Sequence, residues 1–327
     1  MYHISILLLH QVNLAALENA RQGFLEANIY LQQQGKPTMF KIELVAPQRV
    51  ITLNNGLYTI QADKLLAEVG QTDLVIIPPI QHGIEDALVK NQAFLPWIID
   101  QYQSGTQIAS LCLGAFILGS TGLLNGKTCV THWKAAQEFN KLFPKVTLHT
   151  KKILTDENGI CTGGGAFSSA NLILYLIEKI TSRECAIYCS KVFQIDLGRK
   201  SQSPFIIFQG QKKHTDDEII KAQQYIEENF QQRITIDQLC ENLSIGRRTF
   251  ERRFKKATSF TIIEYIQQVK VEAAKRALER SRKTVNEVMY DVGYSDSKAF
   301  REVFKKYSGL SPSDYKEKFM HSMLQIA

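Results

Sequence analysis

Two stretches near the C-terminal end repeat each other closely enough to constrain what this chain can fold into. Residues 235–265 align with residues 284–315 at an offset of 49 before a central turn and of 50 after it, so one residue is inserted at the turn. The matched pairs are Thr235/Thr284, Leu239/Val288, Leu243/Val292, Phe250/Phe300, Phe254/Phe304, Lys255/Lys305, Lys256/Lys306 and Tyr265/Tyr315. Self-similarity of this detail predicts two copies of one structural unit.

Each copy has the pattern of a helix, a tight turn and a second helix. The phenylalanines of the second helix are four residues apart, which places them on one inward face and the intervening charges on the other. We therefore predict helix-turn-helix units at about 235–257 and 284–307. Residues 262–282 between them predict a rigid connecting helix, whose apolar stripe is Ile266, Val269, Ala273 and Leu278.

The net positive charge of the chain comes from the region of this repeat. The formal net charge is +7, and residues 233–306 hold 17 basic and 10 acidic residues, whereas residues 1–232 hold 20 of each. This asymmetry indicates a polyanion-binding module attached to a neutral domain. Two helix-turn-helix units on a rigid connection could contact major-groove segments of DNA about one helical turn apart.

The second helix of each unit supplies the candidate DNA contacts, because that helix enters the major groove. They are Arg247, Arg248, Glu251, Arg252 and Lys255 in the first unit and Ser297, Lys298, Arg301 and Lys305 in the second. A merely solvated surface is the alternative, and it fits Glu302, which can pair with Lys298 or Lys306 at helical spacing. It fits residues 247–256 poorly, since six of these ten are basic and repel each other without a polyanion.

The first two hundred residues alternate β-rich runs with amphipathic helical stretches. Runs at 3–9, 40–46, 73–78 and 107–111 predict strands, and 160–180 repeats a strand–glycine–helix pattern. This alternation predicts a parallel sheet with helices on both faces. We expect a doubly wound, flavodoxin-like α/β domain over 1–197, a linker over 198–215 and an all-α domain over 216–327.

Other bulk features narrow the compartment. No apolar run approaches the roughly 18 residues of a membrane span. The N-terminal MYHISILLLHQ has no basic segment before its apolar run and no cleavage site after it, so we expect a strand and not a signal peptide. The six cysteines have no metal-ligand or disulfide spacing. We expect a cytoplasmic protein with no metal, no cofactor and no membrane partner.

A cysteine at a strand-to-helix turn marks a candidate ligand site. Cys112 follows the strand at 107–111 and precedes Gly114 by two residues, which is nucleophile-elbow spacing, and a helix N-terminus there would lower its pKa. Ligands bind above the carboxyl ends of parallel strands. The residues expected to line this pocket are Asn13, Pro79, Gln81, Cys112, Leu113 and His132. Alternatively, Cys112 is an ordinary buried residue and His132 a structural histidine before Trp133.

Two stretches resemble known families. GYSDSKAFREVFKKYSGLSPSDYKEKF (293–319) resembles the signature of the AraC/XylS family of bacterial transcription regulators, and the match spans roughly 216–320. Its one visible departure is Ser259-Phe260-Thr261-Ile262, where relatives commonly carry glycine and proline. Residues 108–133 resemble the DJ-1/PfpI, class I glutamine amidotransferase-like superfamily. The combination resembles the GlxA-type AraC regulators.

The resemblance implies a homodimeric transcription regulator that binds promoter DNA in response to a small-molecule effector, with RNA polymerase as a candidate further partner. Departures argue against catalysis. Leu113 stands where proteolytic relatives carry histidine, and Pro78-Pro79 replaces their glycine-rich oxyanion loop, which removes N–H donors. The acidic residue after the first strand has no clear counterpart, since Glu18 lies within the helix, and Asn171 replaces a common aspartate. A cysteine-dependent hydrolase or amidase, and a thiol redox sensor centred on Cys112, remain the alternatives.

Overall fold

The computed structural model describes residues 1–81, 83–165, 169–199 and 201–320. Parts of the predicted strand–glycine–helix segment (166–168), of the linker (Lys200) and of the C-terminal domain (321–327) lie outside the described residues. The chain divides into two compact units, Met1–Gln202 and the part that begins at Ser203. This boundary falls inside the segment predicted as a linker. In the described ranges, no helix combines the length and apolar character needed to cross a membrane.

The first unit is built on a sheet. Its strands are β1 (Tyr2–Leu7), β2 (Phe40–Ala46), β3 (Val50–Leu53), β4 (Tyr58–Gln61), β5 (Lys64–Leu65), β6 (Leu74–Ile77), β7 (Gln107–Leu111), β8 (Thr128–Cys129), β9 (Thr147–Leu148), β10 (Leu154–Glu157) and β11 (Ile160–Gly163). The described residues form a main sheet in the order β10-β11-β7-β6-β1-β2-β5, while β3 with β4 and β8 with β9 form small separate ribbons. The predicted strands are confirmed as β1, β2, β6, β7 and β11.

The alternation of strands and helices predicts a parallel sheet, but the main sheet is not wholly parallel. β10 pairs with β11 in antiparallel register, whereas the other neighbours are parallel. The reason is local, because the two strands are joined by Asn158-Gly159, both with positive φ (50° and 76°). Asn-Gly favours the tight turn of a two-residue hairpin, so the edge strand pairs with its neighbour in sequence.

Helices cover this sheet in two groups. They are α1 (Leu14–Gln33), α2 (Ile84–Lys90), α3 (Phe94–Gln103), α4 (Gly114–Ser120), α5 (Ala136–Leu142), α6 (Ser169–Ile180) and α7 (Arg183–Val192). α1, α6 and α7 pack together, and α2 and α3 pack with α4. One core of aliphatic side chains and phenylalanines joins both groups to the strands. The doubly wound α/β fold expected from the sequence is confirmed.

The second unit is helical throughout its regular structure. Its helices are α8 (Asp217–Asn229), α9 (Ile236–Leu243), α10 (Arg247–Thr258), α11 (Ile262–Arg280), α12 (Val285–Asp291), α13 (Ser297–Ser308) and α14 (Pro312–Met320). α9 with α10 and α12 with α13 are the two predicted helix-turn-helix pairs. α11 is the predicted connecting helix, and it enters two cores, with Tyr265 in the first and Leu278 in the second.

Recurrent capping signals start three of these helices. Thr235, Thr261 and Thr284 each accept a hydrogen bond from the backbone N–H three residues on, and Gln238, Glu264 and Glu287 in turn accept one from the capping residue's N–H. Such a capping box satisfies N–H groups that the helix itself leaves unpaired. The repeat in the sequence is therefore also a repeat of helix start signals.

Candidate nucleic-acid interface and ligand site

The second helices of the two units present the same division of faces. Phe250 and Phe254 of α10 and Phe300 and Phe304 of α13 are fully buried. The predicted contact residues of both helices are all exposed: Arg247, Arg248, Glu251, Arg252, Lys255, Ser297, Lys298, Arg301 and Lys305. The inward phenylalanines therefore leave the charged sides of α10 and α13 open to a partner.

Some of the positive charge on α10 is already neutralised within the chain. Arg253 donates to both oxygens of Asp216 at 2.9 and 2.6 Å and to Glu218 at 2.5 Å, which raises its pKa. Arg247 lies 3.1 Å from Glu251 and 3.3 Å from Asp237. Because Asp216 caps α8, Arg253 ties the start of α8 to α10 and does not serve as a free cation.

Four cations of α10 remain without such partners. Arg248, Arg252, Lys255 and Lys256 are exposed and form no ion pair with any residue in the described ranges. Guanidinium groups in this state can bind guanine edges or phosphates without first breaking an internal pair. These four cations on one face of α10 are the chemical basis of the candidate interface.

The start of α13 carries less positive potential than the start of α10. Asp296 caps α13 by accepting from the N–H groups of Lys298 (2.7 Å) and Ala299 (3.1 Å), whereas Gly246 offers α10 no side-chain cap. The carboxylate offsets the positive end of the helix dipole. Arg301 and Lys305 stay free of ion pairs with described residues, but α13 holds four basic residues where α10 holds six, so α13 is the less basic helix.

Close packing sets the position of the second helix-turn-helix pair on the first. Gly293, in the turn of the second helix-turn-helix pair, has φ +75°, and a Cβ there would lie 2.1 Å from the carbonyl oxygen of Gln231. Lys270 of α11 is buried and donates to the carbonyl of Gly293 at 3.2 Å. Only glycine fits this turn, and its fit fixes α12 and α13 against the loop before α9.

In the first unit, Cys112 occupies the elbow that the sequence predicts. Its φ is +53°, unusual for a residue other than glycine, and its N–H donates to the carbonyl of Gly163 at 2.8 Å. A Cβ on Gly114 would lie 2.3 Å from the carbonyl oxygen of Ile77, so β6 and α4 meet at glycine distance. The strained turn is therefore held by the strands on both sides of β7.

The expected lowering of the Cys112 pKa is wrong. The residue is 3% exposed, and burial raises the pKa of its thiol to about 12, although the N–H of Leu113 acts in the opposite direction. Desolvation disfavours a thiolate more than one short helix stabilises it. Cys112 is therefore a protonated thiol at neutral pH.

The other predicted pocket residues lie in loops at the same carboxyl edge. Asn13 caps α1, and its N–H donates to the carbonyl of Pro79 at 2.8 Å. The N–H of Gln81 donates to the carbonyl of Gln11 at 2.7 Å, so the loops after β1 and β6 are joined. Leu113 is half-buried and packs against the main core.

His132 is held by its own backbone neighbourhood. Its Nδ1 accepts the N–H of Lys134 at 3.1 Å, and its ring lies 5.4 Å from that of Trp133. Burial, with a smaller effect from Lys134, lowers the pKa of the imidazole. The ring is thus neutral at pH 7 and serves as a helix cap.

Two departures noted in the sequence have local explanations. Glu18 forms a bidentate pair with Arg21 at 2.7 and 2.8 Å, which lowers the pKa of its carboxyl group. Asn171 donates to the carbonyl of Asp196 at 2.8 Å. Among the described residues, no group of three or more His, Cys, Asp or Glu side chains could hold a metal ion.

Sequence reasoning missed three residues near the elbow. The Oγ1 of Thr131 donates to the carbonyl of Cys112 at 2.9 Å. Gln202 places its amide against the carbonyl of Thr131, and Gln11 adopts φ +61° in the loop after β1. No motif announces Gln202, because it lies 90 residues after Cys112 in a stretch with linker composition.

The chain is a two-domain protein, in which a doubly wound α/β domain is followed by a domain with two helix-turn-helix pairs. Residues 27–179 match the model of the DJ-1/PfpI family, and residues 239–318 match that of a helix-turn-helix domain. The chain thus resembles AraC-type helix-turn-helix proteins that carry an N-terminal DJ-1/PfpI domain.

Named relatives agree with this assignment. The chain is 25% identical over 221 residues to the HTH-type transcriptional regulator GbdR of Pseudomonas aeruginosa, covering 66% of this chain and 59% of GbdR. It is 20% identical over 264 residues to the regulator CdhR of the same species, covering 80% of this chain and 77% of CdhR. The crystal structure of an AraC family transcriptional regulator from Pseudomonas putida shares the fold, with a TM-score of 0.51, 17% identity, and coverage of 59% of this chain and 100% of that chain.

Proposed function

We propose that this protein is a sequence-specific, DNA-binding transcription regulator. Its second unit binds promoter DNA through α10 and α13. Its first unit binds a small-molecule effector above Cys112 and forms a homodimer in the cytoplasm. Effector binding shifts the population of the arrangement that binds DNA.

One observation carries the DNA-binding part. Four cations that form no ion pair with a described residue lie on the face of α10 opposite two buried phenylalanines: Arg248, Arg252, Lys255 and Lys256. Exposed like charges at this density repel each other, and a polyanion relieves the repulsion. The second helix of a helix-turn-helix unit is the element whose shape fits the major groove.

The first unit is better suited to binding than to catalysis. A cysteine hydrolase needs an activated thiolate and a base beside it. Cys112 is buried with its pKa raised to about 12, and its neighbour Leu113 cannot act as a base. A redox sensor likewise needs an accessible thiolate. The effector site is therefore proposed as non-catalytic.

Mobility shift with genomic fragments tests the proposal. We expect a retarded complex with a specific footprint at physiological salt, lost in the Arg248→Ala/Arg252→Ala double variant. The proposed DNA-binding function is contradicted if the purified wild-type protein gives no specific footprint, with or without candidate effectors. Turnover of amide or peptide substrates that Cys112→Ser abolishes would favour the hydrolase instead.

A further inference from the structure

The junction between the two units is anchored at each end inside its own unit. In the first unit, Gln202 is 1% exposed, and its Nε2 donates to the carbonyl oxygens of Thr131 (3.1 Å) and Lys152 (3.0 Å). Ser203, the first residue of the second unit, is also buried. These residues are consecutive, so a single peptide bond joins a buried residue of one unit to a buried residue of the other.

The first anchor belongs to the candidate ligand site. Thr131 hydrogen bonds to the carbonyl of Cys112, so Gln202 is two hydrogen bonds from the elbow. A Cβ on Gly164 would lie 2.2 Å from Gln202 Nε2, so the amide also packs on the loop after β11. A ligand that moves Thr131 or Gly164 therefore changes the surroundings of Gln202.

The amide of Gln202 is only half satisfied. Its Oε1 is buried and accepts no hydrogen bond from the part of the chain that the structure describes. An unpaired buried carbonyl oxygen is destabilising, so a donor brought by a ligand, or a turn of the amide toward one, lowers the free energy. The residue is thus poised to change its contacts when the site is filled.

The second anchor is a buried ion pair on the connecting helix. Glu272 and Lys275 of α11 lie 3.0 Å apart, with side chains 10% and 6% exposed. Glu272 accepts the N–H of Phe208 at 3.1 Å, and Lys275 donates to the carbonyl of Ile206. Both charges are directed at the backbone of residues 203–208, which fixes that segment on α11.

Aromatic contacts extend this second anchor to both helix-turn-helix cores. The ring of Phe208 lies 5.1 Å from that of Tyr265, in the core of the first helix-turn-helix unit. The ring of Phe205 lies 5.8 Å from that of Phe319, which packs against the core of the second. A displacement of residues 203–208 therefore disturbs both cores and the helix between them.

We propose that Gln202 couples the effector site to DNA binding through the anchored segment 203–208. A ligand rearranges the Gln202 amide, and residues 203–208 then shift relative to the Glu272–Lys275 pair. As a result, the packing of α11 against α10 and α13 changes. This inference rests on the proposed function, since it names how the effector site is regulated.

Linkage allows the coupling to be measured from the DNA side, because coupling between two binding sites is reciprocal. The probe is a duplex that the full-length protein selects from a random-sequence pool. Hydrogen–deuterium exchange followed by mass spectrometry is recorded with and without this duplex. We expect the exchange rate of peptides containing Thr131 to change by about fivefold or more in the wild type. Gln202→Ala should bind the duplex and lose that response.

A matched control and a second variant make the test decisive. Gln101 is also a buried glutamine of the first unit, with its amide bound to the carbonyl of Gly70 at 2.6 Å, and Gln101→Ala should keep the response. Lys275→Met breaks the other anchor and should lose the response, which decides the matter if Gln202→Ala fails to fold.

Three outcomes would count against the coupling. A wild-type protein that binds the duplex with no change near Thr131 overturns it and leaves the proposed function standing. Retention of the response in both anchor variants has the same effect. Failure to select any duplex overturns the proposed function and this inference together.

Discussion

Arg252 and Arg253 are neighbours in the sequence with opposite surroundings. Arg252 is exposed and free of ion pairs with described residues, whereas Arg253 is clamped by Asp216 and Glu218. Binding to DNA releases counterions only for cations that pair with phosphates. The two residues should therefore differ in how their loss affects salt dependence.

Arg252→Ala should weaken specific binding by about 1–3 kcal/mol and relax the base preference at one position of the site. If the residue contacts a phosphate instead, binding weakens uniformly and the slope of log K against log salt falls by about one. Fluorescence anisotropy over a salt series measures both quantities.

Two variants serve as controls for this prediction. Lys221→Ala removes an exposed lysine of α8 and should leave affinity and slope unchanged. Arg253→Ala should lower affinity by releasing α8 from α10 while keeping the wild-type slope. A fall of about one in the slope for Arg253→Ala would contradict the assignment of Arg253 to the clamp.

Cys112 is subject to opposing influences of burial and a nearby helix start, and burial prevails. With the pKa raised to about 12, the thiol stays protonated at pH 7–8. Iodoacetamide should therefore modify Cys240, which is partly exposed, well before Cys112 in the folded protein. Peptide mass spectrometry over time measures the two rates. Equal labelling of both cysteines at pH 7.5 would show that Cys112 is accessible and restore the redox alternative.

At the level of the helices, Ser259 marks where the two halves of the repeat differ. Ser259 ends α10 with φ +64°, and Gly309 ends α13 with φ +76°. The left-handed conformation is strained for a residue with a Cβ and costs about 1 kcal/mol. The departure from the family pattern therefore keeps the same turn geometry with a less favourable residue.

Ser259→Gly should stabilise the protein by up to about 1 kcal/mol, because it removes this strain. Urea denaturation, followed through the unfolding transition of the second unit, measures the change in the free energy of unfolding. Ser281→Gly is the matched control, since Ser281 ends α11 with φ −115° and gains nothing from glycine. Equal or greater stabilisation by the control would mean that strain at Ser259 is negligible.

Local patterns explain how much of this fold the sequence predicts. The phenylalanine spacing and threonine capping boxes act within a few residues, so the helix pairs emerge from the sequence. The signal for the hairpin at Asn158-Gly159 is equally local, but the alternation of strands and helices on either side favoured a parallel connection. The Arg253–Asp216 clamp and the place of Gln202 depend on contacts 37 and 71 residues apart, which no spacing rule reports.

For the whole molecule, the charge distribution separates two tasks. Residues 1–232 are neutral, and the net charge of +7 comes from the region of the two helix-turn-helix units. The first unit holds 17 basic and 15 acidic residues, so its small net charge gives it little general attraction to a polyanion. Within the basic region, α10 should supply more of the affinity, and α13, with Asp296 at its start, more of the discrimination.

Selection of duplexes from a random-sequence pool, followed by sequencing, shows whether α10 and α13 read DNA sequence. We expect one enriched motif per binding unit with two conserved segments about 10 base pairs apart, one for α10 and one for α13. Arg252→Ala should lose preference in one segment only. Bound duplexes with no enriched motif, or a motif unchanged by substitutions in α10 and α13, would contradict the assignment of these helices as the DNA-reading elements.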